Sequence, residues 1–344
     1  MKRILNMTLF GSALAGGSTW YFTLILLAIN PQVVCLECAN NRTFNRDRLL
    51  NTTTLKKPES YVNNQTKKTI YRISKISTSE DLARFNRMVK YAREEKLSQR
   101  SIGEIIQAIA NHFIGVPYKA GLLDRSIDEK LVVSLDGFDC VLFVESVVAI
   151  ARGIAMQDYA YSTFVEHIED QRYANGKING YCSRLHYFSE WIAENQKRGT
   201  VQNITSKLGG VPLNKKLNFM TKHRYSYPQL ANNEINYKCI VEQETKLAEL
   251  TINYIPQNQI KSLYSQLQPG DIVGVATNID GLDVTHTGLI YRNADGNLGL
   301  IHASPIGEVA ISYDLHRYIR RVENAIGIIV ARPIDPRQVE KRRL

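Results

Sequence analysis

Three side chains in this sequence carry the parts of a nucleophilic mechanism: one thiol, Cys140, and two imidazoles, His286 and His302. The thiol stands at a change of pattern. Val132, Val133 and Leu135 read as a short strand and Asp136-Gly137 as a turn. Beyond them Phe143, Val144, Val147, Val148 and Ala151 recur at helical spacing, which puts Cys140 in the first turn of a helix with one buried face. Unpaired N–H groups at a helix start favour negative charge and pull a thiol below its ordinary pKa of ~8.5. Asp139 opposes that shift, so a cationic partner has to arrive from elsewhere; a small buried apolar cysteine is the plain alternative.

The imidazoles sit on two β-like runs, 283–291 and 298–303, on either side of Asn293-Ala-Asp-Gly-Asn297, a strong hairpin turn. His286 and His302 are symmetric about Ala294, so they are expected to oppose each other to within one residue of bulge, on one face of the sheet. A lone strand histidine is usually a satisfied core residue, whereas two facing imidazoles are costly to bury without a task. Zinc would need further ligands, and the nearby Asp271 and Asp283 lack compact ligand spacing. A nucleophile, a base that takes its proton and a polar group that fixes the base's tautomer match Cys140, His286 and His302 in that order. The expected resting state is a thiolate–imidazolium pair, and that chemistry calls for no metal or organic cofactor.

These residues need a scaffold, and the chain supplies helices first and strands last. The stretch 79–96 reads as a helix, and Ser101-Ile-Gly-Glu104 is a capping box for a second one whose Ile102, Ile105, Ile106, Ile109 and Phe113 share a face. Gly115, Pro117 and Gly121 stop it and lead the chain towards Cys140. A helix over 159–170 and a turn at Asn175-Gly176 follow. Over 181–192, Leu185, Phe188, Trp191 and Ile192 form a helical stripe with Arg184 and His186 on another face, able to line a groove or to stay solvated. The stretch 199–256 carries weak signals, and 218–225 is basic and aromatic. Short β-rich runs at 271–277, 283–292, 298–303, 309–313 and 326–332 predict an antiparallel sheet, so the class is α+β.

Composition bounds the partners. With 344 residues and 44% hydrophobic content the chain buries a full core, and 43 Lys and Arg against 33 Asp and Glu leave a net charge of +10. That charge suits any acidic polymer or surface. Nucleic acid is set aside, because the chain has neither paired Cys/His metal spacing nor a basic run interleaved with aromatics. The basic Met1-Lys-Arg start and the apolar stretch 19–29 predict a signal peptide or membrane anchor over 1–39, followed by a polar linker over 40–77, a catalytic domain over 78–335 and a basic tail over 336–344. Five irregularly spaced cysteines make no disulfide framework; Cys182 and Cys239 either pair in an oxidising compartment or remain two buried thiols.

At this point the chain resembles the NlpC-type cell-wall cysteine peptidases of the papain-like superfamily, and within them the N-acetylmuramoyl-L-alanine amidase-like branch. The superfamily order is carried by Gly115-Val-Pro-Tyr118, Asp139-Cys140, Pro269-Gly-Asp271, His286-x-Gly288 and Ile301-His-Ala303. The branch is carried by Asp136-Gly-Phe-Asp-Cys140 with Phe143-Val-Glu145, Arg184-Leu-His-Tyr-Phe-Ser189, Asn218-Phe-Met220, Tyr254-Ile-Pro256, Gly281-Leu-Asp283 and His302-Ala-Ser304. The resemblance implies a papain-like fold, with the catalytic cysteine at a helix N-terminus packed on a C-terminal antiparallel sheet. It implies Cys140 as nucleophile, His286 as base, His302 as the residue that orients it and Tyr118 as a hydroxyl near the oxyanion. Arg184, His186, Tyr187 and Asp139 become the substrate-side candidates, Arg184 and His186 together with 218–225 facing the acidic stem of a muropeptide. The chain departs from the family at Val141-Leu142, where small hydroxyl residues are the rule; a backbone N–H for the oxyanion survives the change.

The expected function is an exported cysteine amidase, periplasmic or envelope-bound, that cuts peptidoglycan fragments between N-acetylmuramic acid and L-alanine. A γ-D-glutamyl stem endopeptidase, a thioester acyltransferase and a non-catalytic envelope binder are the alternatives.

Overall fold

The computed structural model describes residues 77–341, so the N-terminal segment 1–39 and the linker up to residue 76 lie outside the described residues. Helices α1 (Ser79–Glu94) and α2 (Ile102–Asn111) open the chain, each on a capping box: Thr78 with Asp81, and Ser101 with Glu104. Asp81 has a second task, since its other oxygen accepts the Leu135 N–H at 2.6 Å and ties the start of α1 to the run before the nucleophile. That run, 131–135, is not the expected strand. It has side chains in place of a neighbouring strand, Asp81 taking the Leu135 N–H and the Arg172 guanidinium donating to the Val132 carbonyl at 2.5 Å.

Helix α3 (Cys140–Ala155) is the axis of the helical half. The sequence pattern predicts one buried face, but only Val141 and Arg152 escape full burial. A helix enclosed on all sides has to pair its charges. Glu145 receives the Arg172 guanidinium at 2.7 Å and the Trp191 indole N–H at 3.1 Å. Arg172 ends α4 (Tyr161–Arg172) and Trp191 lies in α5 (Phe188–Lys197). The expected continuous helix over 181–192 therefore starts seven residues late: a 3-10 turn, Tyr181–Ser183, leads into extended residues 184–187. The reason is visible at its start, where the Asp283 carboxylate, from a distant strand, accepts the Ser189 N–H at 2.7 Å in the manner of an N-cap.

The weakly patterned stretch holds β1 (Val201–Asn203), β2 (Val211–Pro212), α6 (Phe219–Lys222), α7 (Pro228–Ala231), α8 (Glu234–Leu247) and β3 (Asn253–Pro256). A disulfide joins Cys182 to Cys239 of α8, with Cα atoms 6.1 Å apart. The strand-rich third follows the expected runs closely: β4 (Ile272–Thr277), β5 (Val284–Arg292), β6 (Leu298–Ala303), β7 (Val309–Ser312) and β8 (Ala325–Pro333), with the short helix α9 (Leu315–Ile319) before β8. A last helix, α10 (Pro336–Lys341), follows, and Arg337 in it donates to the Ser98 carbonyl at 2.6 Å. The sheet is antiparallel, ordered β2-β3-β8-β4-β5-β6-β7 with β1 beside β8. Both its faces are covered. Leu289, Ile301 and Ile329 pack with the helical core around Phe143 and Val147, whereas Val275, Ile290 and Val330 pack under Leu315 and Ile319. The fold is thus α+β, with helices leading and an antiparallel sheet closing the chain, an arrangement consistent with a papain-like architecture.

Two local features of the sheet aim the histidines. Arg292 pairs with Leu298 and Leu289 with Ile301, which centres the hairpin on Asp295, one residue beyond the expected Ala294. His302 therefore falls opposite Gly288, and His286 sits diagonally to it on the same face. Gly288 leaves the space this needs: a Cβ there would stand 2.9 Å from the His302 Cβ. The β4–β5 register also shifts, Val275 facing His286 and Ala276 facing Val284, so Thr285 is the extra residue of a β-bulge next to His286.

Candidate active site

Cys140 is the first residue of α3, and Asp139 is its N-cap, the carboxylate accepting the Leu142 N–H at 2.8 Å. Asp139 is thus a helix cap inside the protein, its carboxyl pushed up to about 7 by burial. The Cys140 side chain is 1% exposed. Burial, and then the Asp139 charge, push its thiol up to about 12, against hydrogen bonds from the backbone and hydroxyl of Thr287. The same hydroxyl lies 3.0 Å from the Cys140 carbonyl oxygen, so its single proton is shared between that oxygen and the sulfur, and it fixes β5 to the first turn of α3.

The two histidines meet. His286 Nε2 lies 2.8 Å from His302 Nδ1, with the rings nearly perpendicular at 86°. His302 Nε2 in turn lies 3.3 Å from the Ser312 hydroxyl oxygen. One consistent proton assignment has His302 donating from Nε2 to Ser312 and accepting at Nδ1 from His286 Nε2–H. It leaves His286 Nδ1 as a bare lone pair, the form a general base needs. The Tyr318 ring, from α9, packs on His302 with centroids 4.7 Å apart and reaches His286 at 6.2 Å. Burial lowers His302 to about 4, and burial with the neighbouring His302 takes His286 well below its ordinary value. Burial thus favours the neutral form of both imidazoles. The expected thiolate–imidazolium pair is therefore not the resting state this environment favours: desolvation penalises both ions, and the pair rests as thiol and imidazole.

Cys140, His286, His186 and Asp283 line one narrow cleft with an open volume of about 40 Å³. Tyr118 belongs beside it. Its N–H donates to Gly307 at 2.7 Å, the Lys119 N–H donates to Phe138 at 2.8 Å, and its hydroxyl is pushed up by burial and by the nearby Cys140 and Asp139. The remaining substrate-side candidates lie elsewhere. Arg184 is 1% exposed, and its guanidinium points inward, 3.0 Å from Asp124 and 3.2 Å from the Leu123 carbonyl. That fork is filled by the protein's own acceptors. The Tyr187 hydroxyl donates to Glu244 at 2.7 Å and accepts the Met220 N–H at 3.2 Å, a core role. Within 218–225, Phe219 and Met220 are buried, and Arg224 pairs with Glu234 at 2.9 Å. Of the four, His186 alone borders the cleft.

Asp271 is taken by Arg332, with two contacts of 2.7 Å. Asp283 accepts from Ser189 and Val284. Among the described residues no group of three or more His, Cys, Asp or Glu is placed to hold a metal ion. Three residues at the centre escape sequence reasoning: Thr287, Ser312 and Tyr318. Thr287 is the middle residue of His286-x-Gly288 and was within reach of a register argument; Tyr318 arrives on a five-residue helix that no periodicity marks.

The AmiA-like family, described as N-acetylmuramoyl-L-alanine amidase-like, matches residues 108–328. An N-acetylmuramoyl-L-alanine amidase from Bacteroides uniformis is similar at 30% identity, covering 67% of this chain and 98% of its own, with a TM-score of 0.63. A Bacteroides fragilis protein provisionally described as a xylanase is also 30% identical, covering 65% and 99%, with a TM-score of 0.58. A Legionella pneumophila protein at 23% identity, covering 74% and 95% with a TM-score of 0.57, shares the fold. No functionally curated protein matches the chain. With the family spanning both the Cys140 helix and the histidine hairpin, the chain belongs to the AmiA-like, N-acetylmuramoyl-L-alanine amidase-like family.

Proposed function

We propose that this protein is a cysteine amidase of the NlpC-type, papain-like superfamily that hydrolyses the amide between N-acetylmuramic acid and L-alanine in peptidoglycan fragments. The observation that carries the reading is that His286, held 2.8 Å from His302, lines one cleft with the helix-start Cys140. In this scheme Cys140 Sγ attacks the lactyl carbonyl carbon while its proton passes to His286 Nδ1. His302 holds the imidazole by its other nitrogen. The oxyanion is met by a backbone N–H at the start of α3 and by the Tyr118 hydroxyl. His286 then gives its proton to the departing alanine nitrogen, leaving a muramyl thioester on Cys140. Water resolves the thioester, its proton returning through His286 to the sulfur. Because both groups rest neutral, the thiolate forms with the attack and not before it.

The xylanase description of one relative has less support here. Glycoside hydrolysis needs two carboxyl groups flanking the bond. The acidic side chain that lines the cleft, Asp283, is committed to Ser189 and Val284, and Asp139 caps α3. Export is supported by the Cys182–Cys239 disulfide and by the basic, then apolar, start of the sequence. Digestion of purified muropeptides, followed by mass spectrometry, tests the reading. Free muramyl sugar and peptides beginning with L-alanine are expected, and Cys140→Ala should release neither. Products that keep L-Ala–D-Glu on the sugar would place the cut inside the stem.

A further inference from the structure

The cleft that holds Cys140 also holds polar atoms the chemistry above does not use. His186 Nε2 lies 3.0 Å from the Tyr181 carbonyl oxygen. A carbonyl only accepts, so Nε2 carries the ring proton and Nδ1 is a bare acceptor. That Nδ1 is buried and has no hydrogen-bond partner. Burial, and then the positive charge of Arg184, keep the ring from taking a second proton. Thr285, the extra residue of the bulge in β5, is 4% exposed, and its hydroxyl is likewise without a partner. Both residues line the cleft together with Cys140 and His286. Buried polar groups are nearly always paired in folded proteins, so two unpaired ones beside a nucleophile mark a place that a ligand completes.

Resting on the amidase reading, we propose that His186 Nδ1 and the Thr285 hydroxyl form a subsite for an uncharged amide N–H of the substrate, and not for a carboxylate of the acidic stem. A bare imidazole nitrogen can only accept. Asp283, which lines the same cleft with its oxygens already taken by Ser189 and Val284, offers a second carboxylate no donor, and Leu185, Phe188 and Trp191 add apolar walls that suit a neutral group. Arg184, which would have drawn a carboxylate, is closed off by Asp124. The subsite therefore reads the amide backbone of the muropeptide and leaves the D-glutamate charge to other surfaces.

The test uses the Cys140→Ala protein, so that binding is separated from turnover. Calorimetry compares N-acetylmuramoyl-L-alanyl-D-isoglutamine with analogues in which one amide N–H at a time is methylated. One analogue should bind about tenfold more weakly than the parent, the worth of one neutral hydrogen bond. That difference should fall below about threefold when His186→Phe or Thr285→Val is added; the second variant serves if the first does not fold. The subsite is overturned if every analogue binds like the parent, if the loss persists unchanged in both variants, or if the parent does not bind. Should the N–H discrimination hold while the wild-type protein releases no muramyl sugar, the subsite stands and the amidase reading falls. Sugar release without discrimination has the opposite meaning.

Discussion

At the scale of single residues the candidate site combines an imidazole that burial makes slow to accept a proton with a thiol that burial makes slow to give one. A thiol raised to about 12 reacts slowly with alkylating reagents at neutral pH, since the thiolate is the reactive form. The rate of Cys140 alkylation by iodoacetamide, followed by peptide mass spectrometry, should climb from pH 7 to pH 10 without a plateau. Thr287→Val removes a hydroxyl that helps the thiolate and should lower that rate about tenfold, while Thr287→Ser should restore it. A plateau below pH 8 in the wild-type protein would mean that the resting ion pair exists after all. His286→Ala should cut kcat/KM by about 10²–10⁴, the usual worth of a general base. His302→Gln can still hold the imidazole and should cost no more than about 10–100-fold. Equal losses would mean that His302 moves protons itself.

At the scale of elements, the placement of the pair depends on a residue with no side chain. Gly288→Ala puts a Cβ 2.9 Å from the His302 Cβ and the Leu300 Cγ, and 3.0 Å from the Ile301 carbonyl. The strand has to shift, and the imidazoles separate with it. We expect kcat to fall at least about tenfold with KM little changed and a melting temperature a few degrees lower, measured by steady-state kinetics and calorimetry. Unchanged kcat would detach the histidine geometry from the chemistry. The same hairpin shows what was legible beforehand. Strand runs and the shared face of His286 and His302 follow from alternation and the Asn293 to Asn297 turn, and Cys140 at a helix start follows from the change of period. The one-residue error in the hairpin centre came from the turn, whose five residues, 293–297, balance on Asp295. Arg184 misled for a different reason. A charged residue in a polar-looking stripe reads as surface, and only the tertiary fold brings Asp124 and Glu129 to cover it. Long-range pairs of that kind, like Asp283 capping α5 or Asp81 holding Leu135, leave no periodic trace.

At the scale of the whole molecule, burying ionisable groups makes stability depend on pH. The folded pKa of His302 is lowered to about 4 from an ordinary 6.5, so between those values the unfolded chain binds more protons than the folded one. Stability from this group is complete above pH 6.5 and is lost as pH falls towards 4. Asp139 and Glu190, each raised to about 7, act in the opposite sense, losing stability as pH rises. The difference between wild-type and His302→Gln protein reads His302 together with its effect on His286. Urea unfolding should show the wild type losing up to about 1.4 kcal/mol per pH unit relative to the variant between pH 6.5 and 4.5. Parallel curves would mean that His302 titrates in the folded protein as it does in the unfolded chain. The proposed chemistry passes through a covalent intermediate whose acyl group names the bond cut. Intact-protein mass spectrometry of enzyme quenched in acid during turnover of a muropeptide reads it directly. The mass of an N-acetylmuramyl acyl group added at Cys140 is the predicted result. An L-alanyl-D-glutamyl adduct, or full turnover with no adduct and undiminished activity in Cys140→Ala, would contradict it.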